Sequence, residues 1–481
     1  MKRWLIPVFG TSGLALVVWL LSTGLDIRNA NPKDSALGVL LLSNPNTARY
    51  VLTGIAQSLA AVLGITVMVV LLVVQLAAAR YSHSLIQLYI EDWVNTVLLS
   101  GFVFSIVYSL WVANTIKDDF VPSLGTLASL VLATACFVSL IPYFRHVFGF
   151  LEPELMVSRL EKRATRSMQT GATAAESEGQ IIHRMGQLGR VATTSIAQME
   201  TDVAVSAVAA LERICCRHLQ VRAEGAESQV HPVEIEALQL LNRIYGLALN
   251  RARDVTYAVA GSGRVIAESA LGLGRGKVPR ASLMLLNTML RSGINEKDSL
   301  TIYHLLHQYR MLAESLLVHG DDRVLDVLFY FKYYALLAQR TGVKFIIDTV
   351  AYDLNILCQK AQEGDSHLLQ QVMASFLDME LFLVKSGQAA MVFPVRKMYG
   401  VLAGHFLAKG APQLAEPLID RLRCAPAAEK TRLREELLFG PTHPYFWEFT
   451  ERKVNFDYLG KRERESLQPY LDGLTGDSQP G

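Results

Sequence analysis

The chain has 481 residues, 51% hydrophobic and 19% charged, with 46 lysines and arginines against 44 aspartates and glutamates for a net charge of +2. A balance this even excludes nucleic acid as an expected partner and gives no sign of a strongly charged ligand surface. The five cysteines, Cys136, Cys215, Cys216, Cys358 and Cys424, lack framework spacing, which fits reduced thiols and not a secreted disulfide scaffold.

Four uncharged apolar stretches occupy the first 145 residues: Trp4 to Leu25, Tyr50 to Ala79, Trp93 to Ile116 and Phe120 to Phe144. A helix rising 1.5 Å per residue needs about 20 apolar residues to cross roughly 30 Å of hydrocarbon, and all four are long enough. The N-terminal Lys2 and Arg3 imitate a secretory signal, but no small-residue cleavage pattern follows, so an uncleaved first span is expected. Residues 1–150 thus read as a four-helix transmembrane domain, 151–180 as a juxtamembrane helix and linker, and 181–481 as a helical domain on one side of the bilayer. The fold class is all-α.

Short-loop lysine and arginine bias sets orientation. Lys2, Arg3, Arg80, Arg145, Arg159, Lys162, Arg163 and Arg166 would share one side, while Asp26, Asp34, Asp118 and Asp119 dilute the basic residues of the other. Both termini and the domain after Phe150 are therefore expected in the cytoplasm, with the lipid bilayer as the first partner.

Within the second span, Gly54-x-x-x-Ser58 and Ala60-x-x-x-Gly64 are candidate helix-packing residues, because small side chains let helices approach in lipid. The third span carries the polar residues Ser105, Ser109 and Asn114, read as roughly sharing a face. Interhelical hydrogen bonding is one explanation; lining a pore between several copies is the other. No carboxylate, histidine or basic group lies inside a span, which argues against a proton-driven transporter. Only His83, Glu91, Asp92 and His146 could supply acid or base groups at the membrane surface.

The stretch from Val74 to Asn95, running on into Gly101–Tyr108, resembles a family of bacterial predicted inner-membrane proteins known only as a domain of unknown function. Gln75, Tyr81, Ser82, Asp92, Gly101 and Phe102 match the family's series, whereas His83 and Ser84 stand where it has Pro-Arg. The resemblance covers roughly residues 50–165. It implies a membrane location and a helical cytoplasmic domain, with no established activity.

Beyond the spans, Pro153 to Met168 reads as a charged helix and Gln169 to Gly179 as a flexible loop. From Ile181 onward Gly293, Gly320, Gly342, Gly364, Gly387 and Gly410 follow at intervals of 22 to 27 residues, each expected to close a helix. Helix pairs of about 45 residues fall in the size range of α-solenoid repeats; without a sequence consensus, an irregular helical bundle stays open beside it.

Motifs for chemistry fail on inspection. Gly272-Leu-Gly-Arg-Gly-Lys277 has Leu271 and Val278 where a phosphate loop needs Gly and Ser/Thr. Cys215-Cys216 followed by His218, and His304-x-x-His307, lack the further ligands of a metal site. No cofactor or metal is expected, and the chain reads as no enzyme. Two aromatic clusters remain: Phe329–Tyr334 in mid-helix, and Tyr445, Phe446, Trp447 and Phe449 near the end. The second either caps the helical domain or forms a candidate partner-binding patch. The expected function is an inner-membrane assembly or scaffold protein with a cytoplasmic protein partner; the alternative is a homo-oligomeric ion channel with a cytoplasmic vestibule.

Overall fold

The computed structural model describes residues 14–26, 44–80, 93–118, 120–148, 152–169, 174–221, 230–343, 345–364, 366–445, 452 and 454–475. Among these the regular structure is helical, and the only β-type pairing is an isolated bridge between Lys117 and Phe120. Two compact units divide between Arg159 and Leu160, a point inside a single helix, α5 (Pro153–Gln169).

The first unit contains α1 (Leu14–Asp26), α2 (Pro45–Arg80), α3 (Trp93–Thr115) and α4 (Ser123–Phe148). Three of these, α2 over Pro45–Leu76, α3 and α4, are long and apolar enough to cross a bilayer. Of the first expected span only Leu14–Asp26 is described, and Trp4 to Gly13 lie outside the described residues. The last span begins at Ser123 and not at Phe120, because Lys117 and Phe120 exchange backbone hydrogen bonds of 3.0 and 3.1 Å in a tight turn before it. Pro122 also disfavours helix at Val121.

The packing of this unit sets small polar residues among apolar ones in the interior and leaves large apolar side chains outside. Its interior includes Asn95, Ser100, Ser105 and Ser109 from α3, Thr66 from α2, and Thr126 and Ser129 from α4. Its outside presents Ile65, Met68, Leu71, Leu72, Val131, Val138 and Ile141. That arrangement suits hydrocarbon, where apolar side chains face the solvent and small or polar ones let helices close up. At Gly125 α4 comes close to α3: a Cβ there would lie 3.1 Å from Val112 Cγ1. Helix α1 joins through Trp19, whose ring centroid is 5.0 Å from that of Trp111 and whose Nε1 donates to Thr115 Oγ1 at 2.9 Å.

In the second unit the described helices are α6 (Ala174–Ala197), α7 (Thr201–Val221), α8 (Pro232–Ala248), α9 (Arg253–Gly272), α10 (Lys277–Glu296), α11 (Ser299–Val318) and α12 (Val324–Arg340), then α13 (Ile346–Glu363), α14 (Ser366–Lys385), α15 (Val392–Ala408), α16 (Pro412–Arg423), α17 (Ala427–Phe439) and α18 (Lys461–Thr475). Each helix from α6 to α14 packs on its successor, and each from α6 to α13 also packs on the helix after that. The result is two rows, α7, α9, α11, α13 and α15 against α6, α8, α10, α12 and α14. Helices α16, α17 and α18 gather around α15.

The amphipathic pattern explains the stacking. In α13, for example, Ile346, Ile347, Val350, Leu354, Leu357 and Ala361 return every three or four residues and are buried. The turns are fixed as firmly. Gly320 follows α11 at φ 62°, a left-handed value open to glycine; its N–H reaches Leu317 O at 3.0 Å and that of Asp321 reaches Leu316 O at 3.0 Å, the paired bonds of a Schellman cap.

Two expectations are corrected here. Gly293 does not end a helix; it lies buried inside α10, and Lys297 takes the left-handed position instead, at φ 57°. The loop expected from 169 to 179 is already helix from Ala174. Ser167 stabilises that early start, donating to Gln180 Oε1 at 3.1 Å and accepting at its carbonyl from Ser177 Oγ at 2.5 Å.

Candidate functional site

The residues singled out in the membrane unit do not converge. Ser105 and Ser109 are wholly buried among the helices of this one chain, whereas Asn114 is exposed. The three do not share a face, since nine residues at 100° per residue place Asn114 opposite Ser105. In α2, Gly54 is half-buried while Ser58, Ala60 and Gly64 are exposed. A Cβ at Gly54 or Gly64 would meet nothing within 4 Å. The helix buries Ala48, Leu52, Ala56 and Leu59 instead, so among the described residues Ser58, Ala60 and Gly64 do not form the packing seam. His83, Glu91 and Asp92 lie outside the described residues, and His146 is half-buried near the end of α4.

A cluster of buried charge lies in the second unit, on the row formed by α9, α11 and α13. Asp353 points from the apolar side of α13 and is fully buried. Its Oδ1 accepts from Arg452 Nε at 3.2 Å and its Oδ2 from Arg452 Nη2 at 2.7 Å. Arg310 of α11 brings its own Nε to 3.3 Å from Asp353 Oδ1 and pairs one turn further on with Glu314. The Arg452 guanidinium lies over the Tyr303 ring, 4.3 Å from its centroid, and donates to the Tyr303 carbonyl at 3.3 Å. The polar row continues into α9, where Arg264 donates to Gln308 Oε1 at 2.8 Å and Glu268 accepts from Ser315 at 2.8 Å.

Electrostatics follows from burial. His307, half-buried and facing Arg452 and Arg310, is held at a pKa of about 3 by desolvation and by those two charges, so its ring is neutral at physiological pH. Burial raises Glu314. It raises Asp353 as well, against the pull of Arg452 and Arg310. Both Asp353 oxygens are committed to guanidinium groups, which leaves none in place for acid–base work. The cluster clamps an arginine.

The clamp belongs to a longer contact. After α17 the chain returns across the same row of helices. Phe456 stacks on Tyr352 of α13, centroids 4.3 Å apart and planes 15° apart. Asp457 lies 2.9 Å from Lys397 of α15, Glu436 of α17 holds the same ammonium at 3.1 Å, and buried Leu459 faces Gly404. Burial works against the Lys397 charge, but Asp457 and Glu436 outweigh it and keep its pKa above the usual value.

The other sequence candidates have ordinary partners. Cys215 is buried, and Cys216 accepts from Ser269 at 3.3 Å. His304 stacks on Tyr257 at 4.0 Å. His218 and His231 rings lie 4.8 Å apart, and His231 caps α8 together with Glu234. Among the described residues no three His, Cys, Asp or Glu side chains are placed to hold a metal ion. Phe329 and Tyr333 of α12 are exposed and stacked at 6.4 Å. Tyr445 is 65% exposed; Phe446, Trp447 and Phe449 lie outside the described residues. Sequence reasoning missed Asp353 altogether. Its signal was there, a carboxylate set among Ile346, Ile347, Val350, Leu354 and Leu357 on the apolar side of one helix.

These features define an α-helical membrane protein with a helical second unit. Residues 2–231 match the model of the family described as "Predicted membrane protein (DUF2254)", which bears out the resemblance read from the second and third spans. Over 165 residues the chain is 22% identical to uncharacterized proteins of Mycobacterium bovis and Mycobacterium tuberculosis, a match covering 33% of this chain and 31% of theirs. The chain therefore spans about a third of the length of these curated relatives. A solved structure titled "Circular tandem repeat protein with novel repeat topology and enhanced subunit contact surfaces" aligns over 90% of this chain and 96% of its own, at 11% identity and a TM-score of 0.40. At that score no common fold is inferred.

Proposed function

We propose that this is a non-enzymatic assembly protein of the bacterial inner membrane. Four N-terminal spans anchor it, both termini are cytoplasmic, and the second unit is a solenoid-like module that docks protein partners without a cofactor or nucleic acid. The observation that carries the reading is the packing of each helix from α6 to α13 on its next and next-but-one neighbours. A stack built this way leaves the outer faces of both rows extended and lined by helices, a form suited to long protein contacts. The basic residues around Arg80, Arg145 and Arg159 support the orientation.

A photo-crosslinking residue placed in turn at the exposed positions Phe329, Tyr333 and Tyr445 of the protein in living cells tests the docking role. A recurrent adduct with one other protein is expected; adducts with lipid alone at all three positions would overturn it. The orientation is tested separately through Cys424, the exposed cysteine among the five. A membrane-impermeant maleimide should modify it only after the bilayer is opened.

A further inference from the structure

We propose that the face formed by Tyr303 of α11, Tyr352 and Asp353 of α13 and Lys397 of α15 is a docking groove for a peptide segment that turns at its aromatic and acidic residues, as Asn455 to Tyr458 do here. The peptide carries an arginine, an aromatic residue four positions later and an acidic residue directly after that. The chain's own Arg452-x-x-x-Phe456-Asp457 occupies the groove in cis. The inference rests on the assembly reading above and specifies the partner's chemistry and the face it uses.

Three anchors define the groove. An arginine is recognised by a carboxylate that meets its guanidinium with two hydrogen bonds, 3.2 and 2.7 Å, beneath an aromatic ring at 4.3 Å. This combination selects arginine over lysine, because the planar fork matches the carboxylate and the ring takes the flat face. The second anchor is a parallel aromatic stack on Tyr352. The third is the Lys397 ammonium, which receives an acid at 2.9 Å. All three come from successive helices of one row, while the segment that fills them is 99 residues beyond Asp353 in sequence.

The pairing also permits the segment to leave. A buried ion pair that loses one partner ordinarily strands the other charge at high cost. Here each charge on the groove keeps a second partner from the stack. Asp353 retains Arg310 at 3.3 Å, and Lys397 retains Glu436 at 3.1 Å. At the far end of the segment the Asp457 side chain is 40% exposed, so release can begin there. An incoming peptide with the same spacing then replaces each contact in kind.

The test uses the full chain in mild detergent. A fluorescent peptide with the sequence of residues 450–459 is added to the Arg452→Ala, Phe456→Ala double variant and followed by anisotropy. Saturable binding at micromolar concentration is expected, at least tenfold tighter than to the unaltered protein, whose groove is filled. Asp353→Asn added to the double variant should weaken it by a further tenfold or more. A folded double variant without saturable binding would overturn the groove and leave the assembly reading standing, because the cross-linking experiment judges that independently.

Should the double variant fail to fold, hydrogen exchange of the unaltered protein decides. Amides of residues 454–459 are expected to exchange at least tenfold faster than those of α11 and α13 beneath them. Exchange at the same rate as those helices would mean the segment opens only with the whole unit, and the proposal falls.

Discussion

The Asp353 carboxylate holds the Arg452 guanidinium with both of its oxygens, and the two side chains are 0% and 1% exposed. Nothing local brings them together; α13 and the returning C-terminal segment meet only because α15, α17 and the row of odd-numbered helices are already stacked. Removing one member of a buried pair usually costs about 3–5 kcal/mol. Asp353→Ala should reach that range, since it leaves Arg452 and Arg310 together without their shared anion. Arg452→Met should cost distinctly less, because Arg310 still neutralises Asp353. Thermal unfolding of the full chain in detergent gives the order, and equal losses for the two variants would refute it.

His307 predicts a pH dependence. Its folded pKa of about 3 lies below the ordinary histidine value of 6.5, so the unfolded chain takes up the proton first. The stability this confers is complete above pH 6.5 and declines as the pH falls from 6.5 toward 3. The melting temperature should therefore drop between pH 7 and pH 5, before most carboxylates titrate. His307→Gln should flatten that part of the profile; an unchanged slope would show that other groups produce it.

Asp26 ends α1 and accepts from the backbone N–H groups of Leu124 at 3.1 Å and Gly125 at 3.3 Å. It thus supplies from another helix the acceptor that the first turn of α4 needs. Asp26→Ala should cost about 0.5–2 kcal/mol, in line with the loss of an N-cap. Resistance to denaturation in detergent reports it, with Asp26→Asn intermediate because one acceptor oxygen survives.

Two glycines should differ in their response to alanine. A Cβ at Gly404 would lie 2.8 Å from Leu459 Cδ2 and 3.3 Å from the Glu463 carbonyl, so Gly404→Ala should destabilise the second unit by about 1–3 kcal/mol. At Gly64 the Cβ would meet nothing within 4 Å, and Gly64→Ala should stay within about 0.5 kcal/mol of the original protein. Native mass spectrometry of the Gly64→Leu variant asks whether this exposed face joins copies of the chain. Loss of a higher-order complex would show that it does, and an unchanged mass would remove α2 from any such interface.

Much of the helical content could be read directly. Long uncharged stretches have few alternatives to membrane helices, because an unpaired backbone group is costly in hydrocarbon. Gly320, Gly342, Gly387 and Gly410 were legible as helix ends, and all four have positive φ. Gly293 was misread because spacing alone cannot tell a closing glycine from one packed within a helix, here against Ile302. The small residues of α2 were misread for a related reason. Which face of a lipid-embedded helix meets its neighbours depends on the neighbours, and leucine or valine serves at a seam as well as glycine does.

By itself the sequence determined local and additive properties: where apolar length suffices for a bilayer, where amphipathic helices begin and end, and that charges nearly cancel. Those depend on residues close along the chain. Only the tertiary structure decided that α3 buries Ser105 and Ser109, that the helices alternate between two rows, and that Arg452 closes over Tyr303 and Asp353. Such contacts join residues 99 or 149 positions apart. Their partners become neighbours only once every helix between them has packed, so no spacing in the chain announces them.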